Sequence, residues 1–112
     1  MFREYLGQTV EVIIDRPLGT QHPKHNFYYL LNYGYLPNTI APDDEEIDAY
    51  IIGEFEPVDK YKGYVVAVVK RIDDVEDKLV VCKDKNKYSK EQIAALVEFQ
   101  ERFFDTEIIV AE

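Results

Sequence analysis

The sequence predicts an α+β domain that is predominantly β, with five or six short strands and one helix near the C-terminus. Short runs of β-branched and aromatic residues recur between turn residues along most of the chain. A helix-start pattern precedes the one segment with helical apolar spacing. No repeat, low-complexity segment or linker divides the 112 residues. We therefore expect residues 1–112 to form a single domain whose sheet can curl into a small barrel.

The first predicted strand covers residues 9–15, where apolar and polar residues alternate, and Arg16-Pro17-Leu18-Gly19 ends it. Residues 27–31 are β-rich and aromatic and predict a second strand. This strand would lead into a turn at Asn32-Tyr33-Gly34-Tyr35. Tyr33 and Tyr35 can pack around such a turn, or Tyr33 can contact a ligand.

Two further strands are predicted at residues 47–53 and 63–70, joined by residues 54–62. Shorter apolar runs at residues 79–82 and 107–111 predict the last two strands. Consecutive strands usually pair. We therefore expect strands 47–53 and 63–70 to pair in antiparallel fashion.

The predicted helix begins after Ser89, and Gln92 three residues later completes a capping-box pattern. Apolar residues then recur at near-helical spacing, which predicts a helix over residues 90–104 with one face on the sheet. The aromatic residues of this segment are expected in the core: Phe99, Phe103 and Phe104.

Two acidic clusters are the most informative local features. Residues 43–48 carry five carboxylates in six positions, and residues 73–78 form a second acidic run that is typical of a hairpin loop. Crowded carboxylates repel one another unless cations bind, and hard oxygen ligands suit Mg²⁺, Mn²⁺ or Ca²⁺. If strands 47–53 and 63–70 pair, both loops lie at one end of the sheet and form a divalent-metal site. The alternative is a pair of solvated acidic turns.

Composition and charge exclude several classes of function. The net charge of −9 without a basic stripe argues against a nucleic-acid partner and against an anionic membrane surface. No apolar run approaches the length of a membrane span, and the N-terminus lacks the layout of a signal peptide. Cys82 is the only cysteine, and a buried structural role is expected for it. These features predict a cytoplasmic protein.

The segment Asn32-Tyr33-Gly34-Tyr35-Leu36-Pro37, followed by Asp43-Asp44-Glu45-Glu46-Ile47-Asp48, resembles the signature of the soluble, family I type inorganic pyrophosphatases. The likeness extends upstream through residues 12–19 and downstream through residues 73–81. It implies a five-stranded OB-like barrel with a C-terminal helix. It also implies a Mg²⁺-dependent site, with Mn²⁺ as the other candidate cation, that hydrolyses inorganic pyrophosphate.

The resemblance assigns roles to individual residues. Catalytic roles fall to Asp43, Glu45 and Tyr33. Metal ligands are expected at Asp43, Glu45, Asp48, Asp73 and Asp77, with Glu76 as the alternative to Asp77. Substrate contacts are expected from Lys24, Arg16, Lys78 and Tyr33. Family members are commonly homo-oligomers, and candidate interface residues are Tyr61, Tyr64 and Tyr88.

Several positions depart from the family pattern. Glu45 replaces the middle aspartate of the signature, and Glu46 replaces its proline. Phe103 and Phe104 stand where the family has a Tyr-Lys pair that grips phosphate. A hairpin that normally supplies an arginine is missing before Phe27, so Lys24 or Arg16 would have to replace it.

These observations leave three hypotheses. The first is hydrolysis of inorganic pyrophosphate, with reduced activity because of the departures. The second is hydrolysis of a larger phosphoanhydride, because the missing hairpin opens the site. The third is a non-catalytic module that binds metal or phosphate. His22 and His25 could both bind a metal, but without a third ligand nearby a surface loop is the favoured explanation for them.

Overall fold

Five strands close into a small barrel because the first strand is hydrogen-bonded on both of its edges. The computed structural model describes residues 2–73 and 76–111. Its elements, after a short 3₁₀ turn at Arg3–Tyr5, are β1 (Thr9–Arg16), β2 (Asn32–Leu36), β3 (Ile47–Ile51), β4 (Lys60–Arg71), β5 (Lys78–Cys82), α1 (Lys90–Glu101) and β6 (Thr106–Val110). The barrel order is β1-β2-β3-β5-β4, closed by pairing of β4 with β1, and β6 extends the sheet beyond β4. The predicted five-stranded barrel with a C-terminal helix is confirmed.

Two apolar clusters follow from the alternation of side chains along the strands. One fills the barrel interior and draws on every barrel strand, for example through Val12, Leu36 and Leu79. The other covers the outer face of the sheet, where α1 packs through Ile93 and Val97. β4 contributes to both clusters, and a register shift between Val65 and Ala67 changes which of its residues face the barrel interior.

Helix α1 begins as predicted. The Ser89 hydroxyl accepts a hydrogen bond from the Gln92 N–H, and the Gln92 side chain accepts one from the Ser89 N–H. The predicted end at Phe104 was wrong, because the helix ends at Glu101 and the chain turns there towards β6. Phe99 is buried as predicted, whereas Phe103 lies beyond the helix and is 60% exposed. Its placement in the core was also wrong.

The segment around residues 27–31 is not the second strand. It makes only an isolated bridge between Tyr28 and Gln21, and its aromatic side chains pack against the outer cluster instead. The predicted turn at residues 32–35 is itself strand β2, paired with β1 and β3. Gly34 is needed there for close approach, since a Cβ at this position would lie 1.8 Å from the Ile13 carbonyl oxygen.

The predicted direct pairing of strands 47–53 and 63–70 was wrong, because β5 lies between β3 and β4. β5 runs parallel to β3 and antiparallel to β4. The start of β3 and the end of β4 therefore still lie at the same end of the barrel. The hairpin from β4 to β5 is as predicted, although Asp74 and Val75 of its loop lie outside the described residues.

Two predictions about single side chains have opposite outcomes. Cys82 is buried at the end of β5, as expected. Tyr61 is buried in the barrel cluster and is not an exposed interface residue. No helix in the part of the chain that the structure describes has the length and apolar character needed to cross a membrane.

Candidate active site

A cavity of about 460 Å³ lies on the outer face of the barrel, between the loop before β2, the β4–β5 hairpin and the end of α1. Strands β1, β3 and β5 each contribute a polar side chain to it. Its charged lining residues are Asp15, Arg16, Asp48, Arg71, Glu76 and Lys78. Its other lining residues are His22, His25, Phe27, Tyr29, Tyr33, Gln100, Phe103 and Phe104.

Charges of alternating sign run along one wall of this cavity. The Lys78 Nζ lies 2.8 Å from Asp48 Oδ2 and 3.4 Å from Glu76 Oε2. The same Glu76 oxygen lies 3.4 Å from Arg71 Nη1, and Arg71 Nη2 lies 2.9 Å from Glu101 Oε2. Both cations are buried, with 3% of each side chain exposed. Among the described residues, at least two carboxylates lie next to each cation, which offsets its desolvation.

Arg71 is held in a fixed orientation by its surroundings. Its Nε and Nη2 atoms donate to the two oxygens of Glu101, and its guanidinium lies 3.6 Å from the centre of the Phe104 ring. Tyr50 donates to Glu101 at 2.5 Å and accepts from Gln100 at 2.7 Å. Although burial alone disfavours the charged form, the hydrogen bonds and charge of Glu101 raise the pKa of Arg71. Arg71 is a permanent cation in the cavity wall.

Two further groups in the cavity have shifted pKa values. Burial, and next the negative charge of Asp48, raise the pKa of Tyr33 well above its ordinary value. Tyr33 thus remains a hydroxyl donor at neutral pH. Partial burial also raises the pKa of the Asp15 carboxyl, opposed by Arg16 and reinforced by Asp48 and Glu46. The negative charge of Asp48 thus makes a small contribution to the raised pKa of Asp15.

Four of the residues that the sequence singled out line the cavity: Arg16, Tyr33, Asp48 and Lys78. The remaining five do not line it: Lys24, Asp43, Glu45, Asp73 and Asp77. The Asp43 carboxylate accepts a hydrogen bond from the Glu45 N–H at 3.1 Å, which organises their exposed loop. The Asp77 carboxylate accepts one from the Arg71 N–H at 3.1 Å and so closes the hairpin. Glu76, the alternative to Asp77, is the hairpin carboxylate that faces the cavity.

Arg71 and Glu101 were not singled out from the sequence, although a signal for them exists. Arg71 follows Val69 in the two-residue alternation of β4, and Glu101 follows Val97 at helical spacing. Arg71 and Glu101 thus lie on the same buried faces of their elements as Val69 and Val97. A cation and a carboxylate in such positions predict a buried ion pair.

The opposite wall of the cavity is aromatic. Phe27 stacks on Phe103 with ring centres 5.7 Å apart, and His25 stacks on Phe103 at 6.2 Å. His22 packs between His25 and Phe27 at 4.6 and 4.9 Å. Burial, and next the proximity of His25, lower the pKa of His22, so this ring is uncharged at neutral pH.

The donor set of the cavity can be tested against a divalent cation. Asp15, Asp48 and Glu76 supply hard oxygen ligands of the type that Mg²⁺ and Mn²⁺ prefer. Within residues 2–73 and 76–111, however, no three His, Cys, Asp or Glu side chains converge closely enough to hold a metal ion. Lys78 lies between two of the three carboxylates. The chemistry of the ligands fits a divalent cation, and side-chain rearrangement would be needed to bind one.

Comparisons with known proteins agree with this geometry. The family model described as inorganic pyrophosphatase matches residues 4–108. No curated protein matches the chain significantly in sequence.

Several solved structures share the fold. An inorganic pyrophosphatase from Ehrlichia chaffeensis is similar with a TM-score of 0.69 and 19% identity, covering 91% of this chain and 85% of that one. One from Neisseria gonorrhoeae has a TM-score of 0.64 and 21% identity over 100% of this chain and 88% of that one. One from Coxiella burnetii has a TM-score of 0.65 and 16% identity over 96% and 87%.

The family model covers nearly the whole chain, and the barrel, helix and charged cavity are those of one continuous fold. The chain therefore belongs to the inorganic pyrophosphatase family and is a hydrolase of the phosphoanhydride class.

Proposed function

We propose that this protein hydrolyses inorganic pyrophosphate to phosphate in the cavity on the outer face of the barrel, with Mg²⁺ or Mn²⁺ as cofactor. The observation that carries the proposal is the meeting of three carboxylates and three cations in one cavity of a pyrophosphatase-family chain: Asp15, Asp48, Glu76, Arg16, Arg71 and Lys78. The single cysteine is buried and unpaired, which is compatible with a reducing, cytoplasmic setting.

The cations of the cavity would bind the substrate. Lys78 and Arg71 are held by ion pairs with Asp48, Glu76 and Glu101. The rearrangement that frees Asp48 and Glu76 for a metal ion would also free N–H groups of these cations for phosphate oxygens. Arg16 adds a third positive group at the cavity wall. The Tyr33 hydroxyl remains protonated and can donate a further hydrogen bond.

The carboxylates would hold the cofactor and receive the proton of the attacking water. Asp15, Asp48 and Glu76 are the proposed ligands, because they are the carboxylates that line the cavity. A bound divalent cation cancels phosphate charge and acidifies a water molecule. Asp15 lines the cavity beside the other two carboxylates and would accept the proton of the water when it is not itself coordinated to the metal.

Phosphate release from pyrophosphate, with and without Mg²⁺ or Mn²⁺, tests this proposal. Asp48→Asn should keep the fold but lower the metal-dependent rate by at least about a hundred-fold, because the amide keeps the shape and loses the charge. Glu56→Gln is the matched control, since this exposed acid lies outside the cavity lining. We expect the control to retain the wild-type rate.

Glu45→Gln separates the cavity from the acidic loop. Because Glu45 is exposed and does not line the cavity, we expect its loss to leave the rate within a few-fold. A rate that fell as far as that of Asp48→Asn would instead place the ligand set in the loop of residues 43–48. Equal losses in Asp48→Asn and Glu56→Gln, or no phosphate release from the wild type with either metal, would overturn the proposal.

A further inference from the structure

The cavity is larger than pyrophosphate alone requires, and its aromatic wall is not needed to bind pyrophosphate. A volume of about 460 Å³ lies within the range of roughly 300–1,000 Å³ that suits drug-sized organic ligands. Pyrophosphate is compact and wholly polar, so its contacts lie on the charged wall. The aromatic wall then has no part in binding it.

Phe103 is the exposed member of that aromatic wall. Its ring stacks on Phe27 and His25, yet 60% of the residue remains exposed to solvent. A large apolar side chain that lines the cavity and remains mostly exposed offers a stacking surface for a planar ring.

Just after α1, two consecutive residues contact the two walls of the cavity. Phe104 packs against the Arg71 guanidinium at 3.6 Å, while its neighbour Phe103 faces the His25 and Phe27 rings. A ligand with a diphosphate at one end and a planar ring at the other would therefore contact both walls at once. A nucleoside diphosphate has this layout.

We propose that the cavity also accepts nucleoside diphosphates, with the base stacked on Phe103 and the diphosphate on the charged wall. This inference rests on the proposed pyrophosphate hydrolysis, because it uses the same charged groups. In the reaction, the oxygen of water forms a bond to the terminal phosphorus and the bond from that phosphorus to the bridging oxygen breaks. The products are a nucleoside monophosphate and inorganic phosphate, and the proton lost by the water passes through a cavity carboxylate to solvent.

The test compares three substrates under the same metal conditions: pyrophosphate, ADP and methyl diphosphate. ADP and methyl diphosphate share an esterified diphosphate, and only ADP carries a base. In the wild type we expect kcat/KM for ADP to exceed that for methyl diphosphate by about ten-fold or more, in line with the strength of base stacking on aromatic side chains. ADP binding measured by calorimetry gives a second readout that does not depend on turnover.

Variants of Phe103 test whether this residue causes the difference in kcat/KM between ADP and methyl diphosphate. Phe103→Ala should lower the ratio of kcat/KM for ADP to that for methyl diphosphate towards one and weaken ADP binding about ten-fold. Phe103→Tyr keeps a ring and should preserve both. Phe55→Ala is the control, because Phe55 is 71% exposed and lies outside the cavity. We expect it to change neither quantity.

The outcomes separate this inference from the proposed function. Rapid release of phosphate from pyrophosphate with no hydrolysis and no binding of ADP would overturn the nucleotide inference alone. Equal values for ADP and methyl diphosphate, or a Phe103→Ala ratio equal to that of the wild type, would do the same. A change of oligomeric state in Phe103→Ala, detected by light scattering and accompanied by equal losses on all substrates, would show that Phe103 serves an interface instead. If the protein releases no phosphate from pyrophosphate but still prefers ADP to methyl diphosphate, the proposed function is overturned and the stacking site on Phe103 is supported.

Discussion

At the scale of single residues, the site depends on charges that are held in place by one another. Arg71 and Lys78 are both buried, and each lies against at least two carboxylates in the part of the chain that the structure describes. Burying one cation without partners costs far more free energy than the pair contributes. The carboxylates Glu101 and Glu76 are therefore needed to keep Arg71 and Lys78 buried in the cavity wall.

Glu101→Gln tests this dependence. Glu101→Gln removes the carboxylate that accepts two hydrogen bonds from Arg71, while Glu76 stays near the guanidinium, so the free energy of unfolding should fall by about 3 kcal/mol. Urea unfolding followed by circular dichroism measures it. Glu98→Gln is the matched control on the same helix, because Glu98 pairs with Arg102 at 2.7 Å with 55% of each side chain exposed. That change should cost less than about 1 kcal/mol, and equal costs would contradict the buried-pair argument.

Asp15→Asn tests the raised pKa of Asp15. A carboxyl whose pKa is higher in the folded state binds its proton more readily there, so its contribution to stability falls as pH rises above its ordinary value near 3.8. In metal-free buffer the Asn variant should melt at a higher temperature than the wild type at pH 7. The difference should shrink as the pH falls through the folded-state pKa of Asp15 and should vanish below the ordinary value near 3.8. A lower melting temperature for the variant at pH 7 would mean that the Asp15 charge is stabilising.

At the scale of elements, β2 can pack closely against β1 because residue 34 is a glycine. Gly34 lies between β1 and β3, and a Cβ there would lie 1.8 Å from the Ile13 carbonyl oxygen and 2.8 Å from the Ile14 Cα. Both atoms belong to backbone, which cannot rotate out of the way. The strand that carries Tyr33 into the cavity therefore requires glycine at this point.

Gly34→Ala should consequently prevent stable folding or lower the melting temperature by more than ten degrees or so, since a cost of several kcal/mol is expected from a forced backbone shift. Gly7→Ala is the comparison. Gly7 has φ +85° but no atom within 4 Å of an added Cβ, so only conformational strain of about 1 kcal/mol applies. Similar melting temperatures for the two variants would contradict the close-approach argument.

At the scale of the whole molecule, the cavity gathers carboxylates from segments that are distant in sequence. Asp15 lies near the end of β1, Asp48 lies in β3 and Glu76 precedes β5. Their mutual repulsion opposes folding, and a bound divalent cation would relieve it. Metal binding should therefore appear as stability of the entire domain.

Millimolar Mg²⁺ or Mn²⁺ should raise the melting temperature of the wild type by several degrees at matched ionic strength. Binding at a hundred times the dissociation constant adds about 2.7 kcal/mol. Asp48→Asn should abolish most of this increase, while Glu56→Gln should keep it. An unchanged melting curve for the wild type in both metals would remove the metal-site proposal without touching the fold.

Much of the molecule could be predicted from the sequence because the responsible signals are local. The strand alternation of residues 9–15, the hairpin flanking the second acidic cluster and the Ser89 capping box each act over a few residues. The signature around Tyr33 and Asp48 likewise identified the family and two residues of the cavity. Local patterns thus determined the barrel, the helix start and the end of the barrel where the site lies.

Tertiary structure alone decided which charges meet. The acidic loop of residues 43–48 is conspicuous in sequence, yet Asp43 and Glu45 do not line the cavity, because their loop is organised by its own hydrogen bond. Arg71 and Glu101 are thirty residues apart and become partners only when α1 packs beside β4 and β6. The insertion of β5 between β3 and β4 is equally nonlocal. The interaction between two charges depends on their distance in the folded structure, and local sequence patterns do not reveal that distance.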